Sequence, residues 1–189
     1  MKEVLTASIP KTKNTVPVAE RDHIQGPIAA PIKLLEYGDY ECPYCGQAYP
    51  LVKAIQNKLG NSLCFAFRHF PLTKIHPLAE HASEAAESAA AQGSFWEMHD
   101  LLYQNQGALD DADLAQYARS LRLDARRLIA DVLKSAYSAR IREDFTSGVR
   151  GGVNGTPSFF VNGVRYDGAR VLADMLEALA PHSRWVSEY

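Results

Sequence analysis

The chain has 189 residues, 47% of them apolar, and its 20 basic and 22 acidic side chains give a formal charge of −2. That length suits one domain, or one domain with a large insertion, burying roughly 70% of its surface. The near-neutral charge leaves no basic footprint for nucleic acid, and no apolar run approaches the ~20 residues a membrane span needs. Neither nucleic acid nor a membrane is therefore an expected partner. The first ten residues, Met1 to Pro10, lack the apolar core of a secretory signal. The expectation is a cytoplasmic protein, or a periplasmic or extracytoplasmic one if an export signal has been removed. In a reducing compartment, three cysteines with two in one Cys-x-x-Cys argue for catalysis rather than stapling.

Residues 1–22 carry scattered charge, Pro10 and Pro17, and read as a loose arm or an edge strand. Gly26-Pro27 and Ala30-Pro31 are extended punctuation. They lead into a strand over about 32–38, rich in branched and aromatic residues and closed by Gly38-Asp39.

Glu41-Cys42-Pro43-Tyr44-Cys45-Gly46 follows, where the strand gives way to a helix carrying Tyr49, Val52, Ile55 and Leu59 and ending at Gly60. Pro43 fits the first helical position, where its missing N–H costs nothing, so Cys42 is the expected N-cap. Two cysteines within a helix at i and i+3 have Cβ atoms about 5–6 Å apart, whereas a disulfide wants roughly 3.5–4.5 Å. A non-helical cap conformation at Cys42 closes that gap, so the pair can open and shut as a redox couple. The helix N-terminus lowers the pKa of the front thiol. Cys42 is then the exposed nucleophile and Cys45 the resolving thiol. Half of a zinc site is the competing reading, but Cys64, the one other cysteine, has no partner nearby, and His76 and His81 read as helix residues. No metal and no cofactor is expected. Pro50 is expected to kink the helix rather than to mark a late start after a frayed turn.

Leu63 to Phe70 is a second strand, which completes a parallel, right-handed βαβ unit. Leu63, Phe65 and Phe67 share one face; Cys64, Ala66 and Arg68 share the other. Cys64 reads as a small buried residue and His69 as a hydrogen-bonded structural histidine.

Residues 76–152 read as a helical insertion. His76-Pro77 opens a helix with Leu78, Ala82, Ala85, Ala86 and Ala89 on one side and Glu80, Glu84 and Glu87 on a solvated face. Ser94 to Glu97 has the pattern of a capping box. Asp110 or Asp111 caps a third helix, and a fourth starts near Asp124 and runs through Val132, Ile141 and Phe145 toward Gly151-Gly152. Trp96, Met98 and His99 read as core. The chain then returns to strand. Gly155-Thr156-Pro157 opens a hairpin whose strands, from Ser158 to Tyr166, meet at Asn162-Gly163. Val171, Leu172, Met175, Leu176 and Leu179 make a closing amphipathic helix, with a loose tail after Pro181.

The junctional Cys-x-x-Cys, the proline five residues past Cys45 and the late Gly-Thr-Pro together resemble the thioredoxin fold. The helical block, Arg68-His69-Phe70-Pro71-Leu72 and Gly93-Ser94-Phe95-Trp96 further resemble the DsbA-like thiol–disulfide oxidoreductases, over about residues 24–180. The resemblance implies an α/β protein with a central mixed sheet. An N-terminal arm (1–22) would precede a thioredoxin-fold domain made of residues 23–75 and 153–182, with an all-helical subdomain (76–152) inserted. It implies a cis peptide before Pro157, with Thr156-Pro157 docking an extended substrate beside the dithiol as a short added strand, and with Pro43 and Tyr44 also at the substrate surface. Glu36, six residues before Cys42, matches the family's buried acid, which passes protons to Cys45. Asp39 and Glu41 read as surface acids.

The implied activity is disulfide exchange with protein or peptide substrates. Pro-Tyr between the cysteines is also familiar from glutaredoxins, so a glutathione-linked reductase or isomerase is an alternative, with glutathione or a thioredoxin-type protein as redox partner. A peptide-binding or chaperone module with an incidental dithiol is the alternative from a different class.

Overall fold

The computed structural model describes residues 16–183; residues 1–15 of the expected arm and 184–189 of the expected tail lie outside the described residues. The sheet is built first from β1 (His23–Gln25), β2 (Ile32–Gly38) and β3 (Leu63–His69). Helix α1 (Pro43–Leu59) connects β2 to β3, which pair in parallel, with Ile32 opposite Leu63 and Gly38 opposite His69. Strands β4 (Ser158–Val161) and β5 (Val164–Tyr166) follow the helical block and complete a five-stranded mixed sheet in the order β1-β3-β2-β4-β5. β2 is thus flanked by β3 and β4, and alternation sends its residues into two separate cores. Leu34 joins Leu63, Phe65, Phe67 and the helices on one side, while Leu35 and Tyr37 join Ala66, Phe70 and Phe160 on the other. This is the thioredoxin fold that the sequence implies.

The hairpin turn shows local chemistry setting topology. Asn162 and Gly163 both sit at positive φ, 47° and 83°, the backbone that a two-residue hairpin needs to match strand twist. Asn162 also accepts from the Lys33 N–H at 2.7 Å, which ties the turn to β2.

The helical block holds α2 (Ala79–Ala90), α3 (Phe95–Gln104), α4 (Asp111–Ser120), α5 (Ala125–Leu133) and α6 (Ser138–Arg150), and α7 (Leu172–Ser183) closes the described chain. Met98, Leu102, Leu114 and Leu128 of the block pack in the same apolar cluster as Ile55 of α1 and Phe159 of β4. The insertion therefore shares its core with the sheet.

Several expectations are corrected. The structure adds β1, antiparallel to β3, and residues 16–22 are not loose. Val16 is buried with its N–H on Gly163, and Asp22 is buried against Arg68. The expected fourth helix is two, because the chain turns through Ser135 at φ 50°, and Tyr137 donates its N–H to Glu84. No glycine or proline announces that turn. Helix α2 starts at Ala79 rather than at His76-Pro77. Ser94 is the N-cap of α3, but its side chain makes no capping bond. Asp110 and Asp124 do cap, the first accepting from the N–H groups of Ala112 and Asp113 and the second from that of Arg127. Helix α7 continues past Pro181 to Ser183.

The largest correction concerns Glu84 and Glu87, which are 1% and 5% exposed rather than solvated. Glu80, in the first turn, is exposed as expected, but from Ala82 to Ala89 α2 is covered by α3, α5 and α6 together. Glu87 accepts from His23 and His69 at 2.8 and 2.9 Å, with Arg140 at 3.7 Å. Burial works against its charge, but the two histidine hydrogen bonds outweigh it and hold the carboxyl well below the usual range. These three side chains bring metal-type ligand atoms within 4.8 Å of one another. The Arg140 cation at the shared oxygen makes the group a charge-compensated cluster rather than a cation site.

Arg68 is 3% exposed and its guanidinium is met by both Asp22 oxygens at 2.8 Å and by the Tyr37 hydroxyl at 2.9 Å. Removing one member of a buried pair strands the other charge, which costs about 3–5 kcal/mol, whereas an exposed pair contributes about 0–1 kcal/mol. Asp22→Ala is therefore expected to lower the urea midpoint sharply. Glu143→Ala, which breaks the exposed Arg21–Glu143 contact, is expected to leave it nearly unchanged.

Candidate active site

The site lies where β2 ends and α1 begins. Cys42 is the N-cap of α1 in an extended conformation (φ −71°, ψ 120°), and Pro43 opens the first turn. The helix runs unbroken through Pro50, so a late, frayed start is excluded. With Cys42 in that extended cap, its thiol and that of Cys45 are close enough for each to shift the ionisation of the other. Both are reduced, as is Cys64. Cys42 is only 3% exposed, not the open nucleophile the sequence suggests, and Cys45 is fully buried. The loop before β4 covers Cys42: its thiol donates to the Thr156 carbonyl at 3.4 Å, and the Thr156–Pro157 peptide is cis. Tyr44, by contrast, projects into solvent at 64% exposure.

Electrostatics divides the two thiols. Hydrogen bonding from Cys45 is the main influence that pulls the Cys42 pKa down to about 5. Burial opposes it, and the Thr156 side chain and the N–H groups of Cys45 and Tyr44 assist. Among the described residues the buried Thr156 hydroxyl has no hydrogen-bond partner, which leaves it available as a donor to a Cys42 thiolate. Burial drives the Cys45 thiol far above its ordinary value, and the hydrogen bond to Cys42 and the nearby Glu36 charge add to the rise. Glu36 is 2% exposed, and one of its carboxyl oxygens has no partner among the described residues. Burial first, then the Cys42 charge, raise its pKa to about 8, against a smaller lowering by Arg170. At neutral pH the site therefore holds a thiolate at Cys42, a thiol at Cys45 and a protonated carboxyl at Glu36.

Asp39 is not a surface acid, whereas Glu41 stays partly exposed. Asp39 is fully buried and accepts from the N–H groups of Glu41 and Leu72 at 2.8 Å, with His76 Nδ1 at 2.7 Å. Glu41 accepts from the Leu78 N–H at 2.6 Å. Together they fasten residues 72–78 to the dithiol turn, a role that spacing alone does not reveal. Tyr40, which stacks on Phe67 and bonds His99 at 3.0 Å, and Tyr103, whose hydroxyl is buried, were likewise invisible as site neighbours. So was Gln106, whose amide reaches the same turn from the insertion.

The raised Glu36 pKa has a consequence for stability. The unfolded carboxyl ionises at 4.5 and the folded one at about 8. Its contribution to stability is thus best below pH 4.5 and worsens as pH rises toward 8, by up to about 1.4 kcal/mol per pKa unit of difference. In reduced protein, Glu36→Gln is expected to stabilise by an amount that grows between those pH values and is negligible near pH 4. Denaturant titrations across that range check it. A depressed pKa acts in the opposite sense, so Cys42 adds stability that is complete above its unfolded value of 9 and lost as pH falls through about 5.

Comparison with known proteins agrees with this architecture. A family model described as Thioredoxin matches residues 18–180. Among solved structures, oxidised BdbD from Bacillus subtilis superposes with a TM-score of 0.82 over 90% of this chain and 97% of its own, at 19% identity. The thiol-disulfide exchange protein alpha-DsbA2 from Wolbachia pipientis gives 0.74 over 85% and 86%, at 16% identity. The catalytic domain of Proteus mirabilis ScsC gives 0.72 over 86% and 89%, at 21% identity. At those identities the likeness is one of fold. Curated relatives include Na(+)/H(+) antiporter NhaA 1 of Salinispora arenicola, 49% identical over 155 residues, which is 82% of this chain and 24% of that protein. Another is NhaA 1 of Mycobacterium sp. strain KMS, 41% identical over 85% of this chain and 26% of that protein. The chain spans about a quarter of the length of these relatives. A match to the family over nearly the whole described fold, with the dithiol at the strand-to-helix junction, means that this chain belongs to the thioredoxin family.

Proposed function

We infer that the protein is a thiol–disulfide oxidoreductase acting on protein or peptide substrates through the Cys42–Cys45 couple. The observation that carries this reading is the division of the dithiol into a stabilised thiolate at the helix tip and a buried, strongly basic sulfur one turn in. In the disulfide-donating direction a substrate thiolate attacks Cys42 Sγ, and the Cys42–Cys45 bond breaks. Cys45 leaves with the electron pair and takes a proton, which Glu36, protonated near neutral pH, is placed to give. A second substrate thiolate then attacks the mixed disulfide. The substrate gains a disulfide, and Cys42 departs as the thiolate its surroundings favour. Two electrons pass from substrate to the couple. The same steps reversed reduce a disulfide.

A stabilised thiolate is a stabilised reduced form, which raises the reduction potential and favours accepting electrons from substrate thiols. The Thr156-Pro157 loop is the docking edge in this reading. In the thiol form the Thr156 carbonyl is occupied by Cys42. Ionisation removes that donor and leaves the carbonyl for a backbone N–H of an extended substrate segment. Pro43 and the projecting Tyr44 lie beside it as substrate contacts.

Cys42→Ser is expected to reduce turnover of a disulfide-bonded or dithiol model substrate to background, and Cys45→Ser to accumulate a mixed disulfide visible as a mass increase. Retained activity in Cys42→Ser would support instead a binding module in which the dithiol is incidental. The potential of the couple, measured against glutathione, separates the directions: a value near the cytosolic glutathione poise with glutathione-driven turnover identifies a reductase, and a markedly higher one a disulfide donor.

A further inference from the structure

Gln106 lies in the turn between α3 and α4, far in sequence from the dithiol, and its side-chain nitrogen sits 2.8 Å from both the Tyr40 and the Cys42 carbonyl oxygens. Both partners accept only, so the amide must present its N–H₂ group to them. The flipped orientation would set three carbonyl oxygens against one another. The fit is close. A Cβ built on Gly46 would fall 2.0 Å from Gln106 Oε1, so glycine in the first turn of α1 is what lets the amide in. The Cys42 carbonyl also accepts the N–H groups of Cys45 and Gly46 at 3.0 and 3.1 Å. Gln106 thus joins the bonds that orient the peptide units on either side of the nucleophilic cysteine.

We propose that Gln106 is a positioning residue for the dithiol. Its amide clamps the Tyr40 and Cys42 carbonyls, so that the first-turn N–H groups of α1 stay aimed at Cys42 Sγ and the carbonyl dipoles near the sulfur stay neutralised. The helical insertion thereby sets the nucleophilicity and the redox poise of a couple carried on another element. This rests on the oxidoreductase reading above. The clamp is uncharged. The titratable groups acting on Cys42 and its surroundings are Cys45 on α1, Glu36 on β2 and, through Glu36, Arg170 before α7; none of them is altered by substitution at position 106.

The test is the pH dependence of Cys42 alkylation by iodoacetamide, with the equilibrium against a reference thiol couple, in wild type, Gln106→Ala, Gly46→Ala and the double variant. Wild type is expected to react with a midpoint near 5. Gln106→Ala should move the midpoint up by about one unit and shift the couple toward its disulfide form by a similar factor, about tenfold. Gly46→Ala favours the helix by about 1 kcal/mol, yet it should shift the midpoint in the same direction by expelling the amide. In the Gln106→Ala background it should add nothing, the non-additivity of two groups in one contact. If Gln106→Ala folds poorly, Gly46→Ala alone carries the test. A wild-type midpoint near 5 that is unmoved in both single variants overturns the proposal, even if unfolding midpoints fall, because a mere tether would lower stability without touching the thiol. A wild-type Cys42 that titrates as an ordinary thiol overturns the oxidoreductase reading and this proposal with it.

Discussion

The architecture depends on a single conflict being held in place: a sulfur stabilised as thiolate at a helix tip, within electrostatic reach of a carboxyl group that burial keeps protonated. Burial raises the free energy of charging Glu36 most, and the Cys42 charge raises it further. A surface site would let water relax the opposition. Here Cys42 and Glu36 are 3% and 2% exposed, so the groups that decide protonation are fixed dipoles and hydrogen bonds of the protein. Strand β2 supplies Glu36, the first turn of α1 supplies the N–H groups, and the loop before β4 covers Cys42 with the Thr156 carbonyl.

The parallel β2–α1–β3 unit alone would leave that arrangement loosely framed. The dithiol turn is held to three other segments: to the insertion by the Gln106 amide, to Leu72 and His76 through its own Asp39, and to the loop before β4 by the Thr156 carbonyl. A second polar set, Asp22, Arg68, Tyr37 and Ser147, does comparable work on the opposite face of the sheet. In both sets every charge has a partner of opposite sign or a donor, as buried ions require.

What could be read in the sequence was what depends on local rules. The branched and aromatic run from Ile32 to Gly38, Pro43 after Cys42 and Asn162-Gly163 between apolar runs each fix a conformation over a few residues, and those elements appear as expected. Glu84, Glu87 and Asp39 misled because a carboxylate carries no sign of burial; that depends on whether helices from elsewhere cover it and whether His23, His69 or a backbone N–H arrives as partner. Ser135 misled for a related reason, since a left-handed serine leaves no compositional mark. The roles suggested for Glu36, Thr156 and Pro157 came from family resemblance and not from periodicity. Gln106 had no signal at all, because glutamine in a surface turn is ordinary until its depth and partners are known.

On the proposed reading, Glu36 gives up part of the molecule's resistance to unfolding in exchange for chemistry. A leucine or glutamine in its place would suit the apolar wall of β2 better, and any screen for heat tolerance alone would select such a replacement. The sturdiest versions of this protein would then be the ones least able to move protons. A lineage that keeps the acid must make up the deficit elsewhere in its packing, at positions remote from the sulfur atoms.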